Sequence, residues 1–292
     1  MIRPTAFSFN PETADSNVFQ KAKGDHEWAQ KVGKEFNGVV EVLQNNHIPV
    51  YVFDDTIQQS PDALFPNNWL SHMPDGTVTI FPMEAANRRK EVRPDLIDWL
   101  MDKSSSTQLI DLRPSIENNQ FLEGTGSIVF DYSNRVAFAS LSSRTSISLF
   151  ESYCGEIDYE AISFQSLDLY GRPVYHTNVM MALAESYAIV NLESIENSLE
   201  RLMLQKKIVQ LGKEIITINH AQMMSFCGNV MELKNREGQS FLVMSSRAKK
   251  AFHLKQLQKM EQYSQFIEAD VSTIEEIGGG GVRCMLAGLF VV

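Results

Sequence analysis

Apolar residues along the chain fall into short runs broken by turns, alternating with longer stretches of helical period. One segment recurs: a small or amide residue, a short apolar strand, a turn and a second apolar strand, as in a hairpin. It reads NNWLSHMPDGTVTIFPM from Asn67, EGTGSIVFDYSNRVAFASLSSRT from Glu123, HTNVMMALAESYAIVNLES from His176 and GNVMELKNREGQSFLVMSS from Gly228. A truncated fifth copy, RCMLAGLFVV, ends the chain. Turns are expected at Tyr132 to Arg135 and at Glu185-Ser186. Aligning Asn68, Gly126, Asn178, Asn229 and Cys284 gives steps of 58, 52, 51 and 55 residues, a period that marks a propeller or solenoid.

Between the hairpins the period changes. Trp28, Val32, Phe36, Val39, Val40 and Leu43 lie at helical spacing in a segment from about His26 to Asn45. Arg93 to Met101, Asn197 to Leu211 and Arg247 to Tyr263 read the same way, with further strands at Ile48 to Phe53, Ser105 to Asp111 and Lys213 to Ile218. The unit is therefore ββαβ, and five copies predict an α/β fold, a five-bladed α/β propeller formed as one domain over residues 1–292. In such a ring the repeat starts converge near the axis. The short fifth copy needs the N-terminal strand Thr5 to Phe9 to complete it. Unrelated hairpins in an α+β protein are the competing account.

Composition narrows the function classes. With 43% hydrophobic and 21% charged residues the chain reads as globular. No run approaches the roughly 20 apolar residues of a membrane helix, and MIRPTAFSFNPETADSN is too polar for a signal peptide, so a cytoplasmic protein is expected. A net charge of −10 disfavours nucleic acid and anionic membranes. It favours a small cationic or zwitterionic ligand. Cys154, Cys227 and Cys284 are odd in number and far apart, which speaks for reduced thiols. The histidines lack paired ligands at metal spacing, so neither metal nor cofactor is expected.

Three residues carry candidate chemistry. Cys284 follows IGGGGVR, a run that lets backbone turn sharply and approach a ligand closely. A thiolate there can act as nucleophile, although Cys284 taken alone reads better as a buried structural thiol. His176 opens the third copy, where it can reach Cys284 and shuttle protons. Glu123 opens the second copy and can orient the imidazole or touch the substrate. Each also has a plain structural reading, as a satisfied histidine or a strand-entry turn, and a non-enzymatic amino-acid-binding propeller is the alternative of another class.

FPNNW, EGTGS, SSRTS, YHTNV, CGNV and GGGGVRC, in this order from Phe65 to Cys284, resemble the amidinotransferase/arginine deiminase superfamily of guanidino-group-modifying enzymes, which are five-bladed ββαβ propellers. The resemblance implies that Cys284 is the nucleophile, His176 the general acid/base and Glu123 its carboxylate partner. It also implies that Arg144 holds the amino-acid end of the substrate; Asn10 and Asn17 are further candidates for that end.

The departures from the family pattern bear on substrate. Guanidine-converting members usually have aspartate where Asn68, beside Asn67, stands here, and those with a His-x-Asp motif have it where Asn178 stands. Carboxylates suit a guanidinium; an amide, with one acceptor oxygen and an NH2 donor, suits a neutral ureido group. Glu84 and Asp75 are the nearby acidic residues that could instead supply charge. The closest likeness is to the citrulline-utilisation hydrolases, which implies conversion of citrulline to ornithine, carbon dioxide and ammonia through an S-carbamoyl-cysteine. Arginine deimination, methylarginine hydrolysis and amidino transfer are the alternatives on the same scaffold.

Overall fold

The computed structural model describes residues 1–21, 28–56, 60–104, 106 and 108–290. Their strands form one two-stranded and four three-stranded sheets. β1 (Ile2–Arg3) pairs in parallel with β2 (Phe53–Asp54). The other sheets share one plan. β3 (Leu70–His72) is antiparallel to β4 (Val78–Ile80), and β5 (Leu109–Asp111) joins β4 in parallel. The same order holds for β6 (Val129–Asp131), β7 (Val136–Ser140) and β8 (Glu160–Phe164), and for β9 (Met181–Leu183), β10 (Tyr187–Val190) and β11 (Glu214–Thr217). The fourth sheet combines β12 (Met231–Lys234), β13 (Ser240–Ser245) and β14 (Gln265–Ala269).

Each parallel step needs a crossover, and a helix supplies it: Pro94–Lys103, Ile147–Glu156, Ser198–Gln210, and the pair Ser246–Ala251 and Leu254–Met260. The middle strand of each sheet lies between neighbours on both edges; every residue of Val136–Ser140 and of Tyr187–Val190 is buried. That accounts for their unbroken apolar runs, since strands covered on both faces lose the in-out alternation. Helix Trp28–Asn45 buries Val32, Phe36, Val39 and Leu43 and packs against Ser272–Gly278 and β14. The result is a mixed α/β fold with five small sheets, consistent with a five-bladed propeller. No helix among the described residues is long and apolar enough to cross a membrane.

Several expected elements differ from those observed. The strand expected at Ile48 to Phe53 is confined to Phe53–Asp54; Pro49 within it has no N–H to give a ladder. Its partner is Ile2–Arg3 and not Thr5 to Phe9, because Phe7 turns into the core, its ring 6.2 Å from that of Phe65 and 6.3 Å from that of Trp28. The single helix expected over Arg247 to Tyr263 divides at Phe252 and His253, both extended. Helices Ile147–Glu156 and Ser272–Gly278 were not anticipated. His26 and Ser105, taken as the starts of a helix and a strand, lie outside the described residues.

The most consequential difference concerns the starts of the repeats. They enter not as strands but as single helical turns: Pro66–Asn68, Gly124–Ser127, Thr177–Met180 and Val282–Met285, with a comparable tight turn at Phe226–Asn229, closed by Asn229 N–H donating to Phe226 O. The first two of these turns pack together, as do the second and third, and the turn carrying Cys284 contacts the turn carrying Asn68. Past Val282–Met285 no strand forms among the described residues; Phe290 N–H donates instead to His72 Nδ1 at 2.9 Å.

Candidate active site

The five aligned positions meet at these turns. Gly126 lets Asn68 and His176 pack directly on its backbone: a Cβ there would stand 2.3 Å from Asn68 Nδ2 and 2.9 Å from His176 Nδ1 and Cε1. Asn178 Nδ2 lies 3.7 Å, and Asn229 Nδ2 3.2 Å, from Cys284 Sγ. Repeat geometry thus delivers polar side chains from distant parts of the chain to one sulfur atom.

His176 Nε2 and Glu123 Oε2 are 2.7 Å apart, and both side chains are buried. Glu123 Oε1 accepts from Glu84 N–H at 3.0 Å, and Arg144 Nη1 stands 3.5 Å from Oε2. Burial alone would raise the Glu123 carboxyl; Arg144, the His176 hydrogen bond and Arg88 outweigh it and hold the group far below the usual carboxylate range. For His176 burial wins: it lowers the imidazole to about 4 against the pull of Glu123. The ring is therefore neutral near pH 7, with Nε2 occupied by Glu123 and Nδ1 left to accept a proton.

Burial pushes the Cys284 thiol up, opposed by the Asn229 hydrogen bond, Arg283 and Asn178. Arg283 does not touch the sulfur; its Nη1 donates to Met181 O and Val230 O at 3.4 Å. Near pH 7 the pair is thus neutral thiol and neutral imidazole. Burial also pushes the other thiols up, Cys154 to about 12 and Cys227 higher still.

A narrow cavity of about 20 Å3 touches Cys284, His176, Asn68, Arg144, Arg88 and Asp62. That is room for about one water molecule. Arg88 is its structural anchor. Its guanidinium donates to both Glu91 oxygens at 2.8 Å and, through Nη1, to Asn68 Oδ1 at 2.9 Å. Asp62 lies 3.8 Å from Arg88 Nε and accepts from Asn10 Nδ2 at 2.7 Å, but its Oδ1 is buried without a hydrogen-bond partner. Burial raises the Asp62 and Glu91 carboxyls despite Arg88. Arg144, its guanidinium 5.0 Å from the Tyr175 ring centre, donates to Thr13 O and Ser16 Oγ.

Of the residues singled out in the sequence, Cys284, His176, Glu123, Asn68, Asn178 and Arg144 come together. Asn67 is buried, with neither amide atom hydrogen-bonded, and stays out of the cavity wall. Asn17 reaches the cavity, donating to Gly278 O and Gly279 O, whereas Asn10 is spent on Asp62. Glu84 lies beside the site, 3.6 Å from Arg144; Asp75 sits in the β3–β4 turn, capping Thr77 N–H. Asp62, Arg88, Glu91 and the sulfur contact of Asn229 were not foreseen. Arg88 and Glu91 at i,i+3 offered a faint signal, and Asn229 a clearer one through its place in the repeat. Among the described residues no group of three or more His, Cys, Asp or Glu side chains is placed to hold a metal.

This arrangement can be set against known proteins. No curated protein matches the chain by sequence. Among solved structures it is similar to the N-terminal domain of ArgZ, an arginine dihydrolase of the ornithine-ammonia cycle in cyanobacteria, in a substrate-bound mutant form. The two are 14% identical with a TM-score of 0.77, over 100% of this chain and 97% of that one. A dimethylarginine dimethylaminohydrolase carrying an S-methyl-L-thiocitrulline adduct matches at 14% identity and TM-score 0.65, over 97% and 96%. AgrE bound to ornithine and NAD+ matches at 18% identity and TM-score 0.75, covering 100% of this chain but 39% of the longer AgrE chain. At these identities the likenesses establish a shared fold. The family model described as N,N dimethylarginine dimethylhydrolase, eukaryotic, matches residues 3–291. The chain therefore belongs to that dimethylarginine dimethylhydrolase family, within the amidinotransferase superfamily of guanidino-modifying enzymes.

Proposed function

We propose that the chain is a cysteine-dependent hydrolase of a ureido amino acid, citrulline, with Cys284 as nucleophile, His176 as general acid and base, and Glu123 as the orienting carboxylate. The proposal takes the five units as blades of one closed ring. The observation that carries the substrate assignment is how two amides are spent. Asn68 commits its oxygen to Arg88, leaving Nδ2 buried without a partner; Asn178 aims Nδ2 at Cys284, leaving Oδ1 buried without a partner. One orphaned donor and one orphaned acceptor complement a ureido C=O and NH2.

In this mechanism the Cys284 proton passes to His176 Nδ1 as Sγ attacks the ureido carbon. The developing oxyanion takes the Asn68 N–H, a contact stronger in the transition state than before it. His176 returns the proton to the departing δ-nitrogen, the C–N bond breaks and ornithine leaves an S-carbamoyl-cysteine. Water deprotonated by His176 then attacks that carbonyl and restores the thiol. Carbamate is released and decomposes to carbon dioxide and ammonia. Arg144 takes the substrate carboxylate, and Asp62, with its free Oδ1, takes the α-ammonium.

The orphaned Asp62 oxygen also favours a second reading, in which it receives a guanidinium and the substrate is arginine or a methylarginine. Incubating purified protein separately with citrulline, arginine and dimethylarginine, and measuring ornithine, citrulline and ammonia, separates the two. Ornithine from citrulline is expected; citrulline formed from arginine, with citrulline itself inert, would sink the first reading.

A further inference from the structure

The Cys284 sulfur is buried near a neutral histidine, and among the described residues Arg283 favours its ionised form only from a distance, being hydrogen-bonded to Met181 O and Val230 O. Besides the Gly281 backbone, two side-chain amide N–H groups face it, and the nearer, at 3.2 Å, belongs to Asn229. We infer that Asn229 is a positioning residue for the nucleophile: its side-chain N–H holds Sγ in place and stabilises the thiolate during attack. The inference rests on the reading of Cys284 as nucleophile given above.

Backbone features independent of the sulfur contact seat Asn229. Phe226, which accepts the Asn229 backbone N–H, has φ of 63°, a left-handed conformation that a bulky residue adopts only when its surroundings impose it. Gly228 brings this turn hard against the third repeat: a Cβ there would stand 2.2 Å from Val179 O. The same Asn229 amide donates to Asn178 O at 3.3 Å, tying the two sulfur-facing asparagines together. Asn229 Oδ1 meanwhile is buried with no partner. A residue kept only for packing gains nothing from an amide so incompletely used; one kept for its N–H does. A hydrogen bond to the charged form of a group favours that form, and amide donors do so without adding a charge that would repel a cationic or zwitterionic substrate.

The test uses the full chain, with Asn229→Ala, Asn229→Ser and the isosteric Asn229→Asp. Iodoacetamide modification of Cys284 is followed by peptide mass mapping as a function of pH, alongside citrulline kinetics and thermal unfolding. The expected result is a labelling midpoint about one unit higher in Asn229→Ala, or tenfold less thiolate at fixed pH, and higher again in Asn229→Asp, whose carboxylate repels the thiolate. kcat should fall about tenfold near neutral pH with KM within about twofold, recover at higher pH, and be partly rescued by serine, which keeps a donor. An unchanged midpoint overturns the inference, as does a rise in KM alone or loss of folding in all three variants. Turnover surviving in Cys284→Ala would instead defeat the functional reading, while the labelling midpoints would still decide the role of Asn229.

Discussion

Asn68→Asp tests the substrate assignment at the atom on which it depends. The amide oxygen of Asn68 sits 2.9 Å from Arg88 Nη1, so a carboxylate placed there keeps that contact and turns its second oxygen to where Nδ2 now points. Shape is preserved and one buried donor becomes an acceptor. Because Arg88 faces it, the new charge is not isolated, and the stability cost should stay below about 2 kcal/mol, short of the roughly 3–5 kcal/mol of an uncompensated buried charge. The catalytic cost is larger. Losing one donor to a developing oxyanion lowers kcat by about 10^2 to 10^3, or roughly 3–4 kcal/mol, and the carboxylate adds repulsion toward the same oxygen. Arginine gains a partner for its guanidinium. Steady-state kinetics with citrulline and arginine, beside the unfolding temperatures of both proteins, should show citrulline turnover falling by at least about a hundredfold while the ratio of arginine to citrulline turnover rises. Citrulline turnover retained within about threefold, in a folded variant, would refute the pairing of the ureido oxygen with Asn68.

Other perturbations probe the rest of the site. In Gly126→Ala the added methyl collides with Asn68 Nδ2 and the His176 ring; we expect about 1–3 kcal/mol of destabilisation and a fall in kcat of order 10^2 from misplaced groups, read by urea unfolding and kinetics. Removing the Arg88 cation in Arg88→Leu strands buried Glu91 and Asp62 and should cost about 3–5 kcal/mol in the same unfolding assay. His176 should make stability fall as the pH is lowered. Its folded value of about 4 lies below the ordinary 6.5, so between those limits the unfolded chain binds a proton that the folded one refuses, for a loss of up to about 3 kcal/mol. The raised carboxyls of Asp62, Glu91 and Glu275 act oppositely from their ordinary values of 3.8, 4.5 and 4.5 upward, so the His176 contribution is read as a difference: across pH 4.5–6.5 the parent should gain more stability with rising pH than His176→Asn.

The repeat and the site were legible from the sequence to different depths. Hairpin strands such as Val136–Ser140 declare themselves because their apolar runs and bounding turns are local, and the even spacing of the repeat starts is what set Cys284, His176, Glu123, Asn68 and Asn178 side by side as candidates. What the pattern did not convey was that these residues ride on helical turns; single turns such as Gly124–Ser127 are too short to carry a period. The pairing of Ile2–Arg3 with Phe53–Asp54 joins segments 51 residues apart and leaves no local mark. Arg88, Glu91 and Asp62 look like solvated loop charges until tertiary packing buries them against one another. The helix Ile147–Glu156 was hidden for a related reason: it buries Leu149, Phe150, Tyr153 and Cys154 but exposes Ile147, so its apolar face is blurred. Arg144 was found by resemblance through SSRTS, and its place beside Glu123 and Tyr175 is a fact of the fold that its neighbours in sequence do not reveal.

The account stands most directly on the covalent intermediate. Protein mixed with citrulline, quenched in acid during turnover and digested, should yield the Cys284 peptide heavier by one carbamoyl group while ornithine accumulates, with Cys154 and Cys227 unmodified. An adduct on either of those cysteines, no adduct on Cys284 despite ornithine release, or an amidino group trapped there from arginine while citrulline leaves the thiol free, would contradict it.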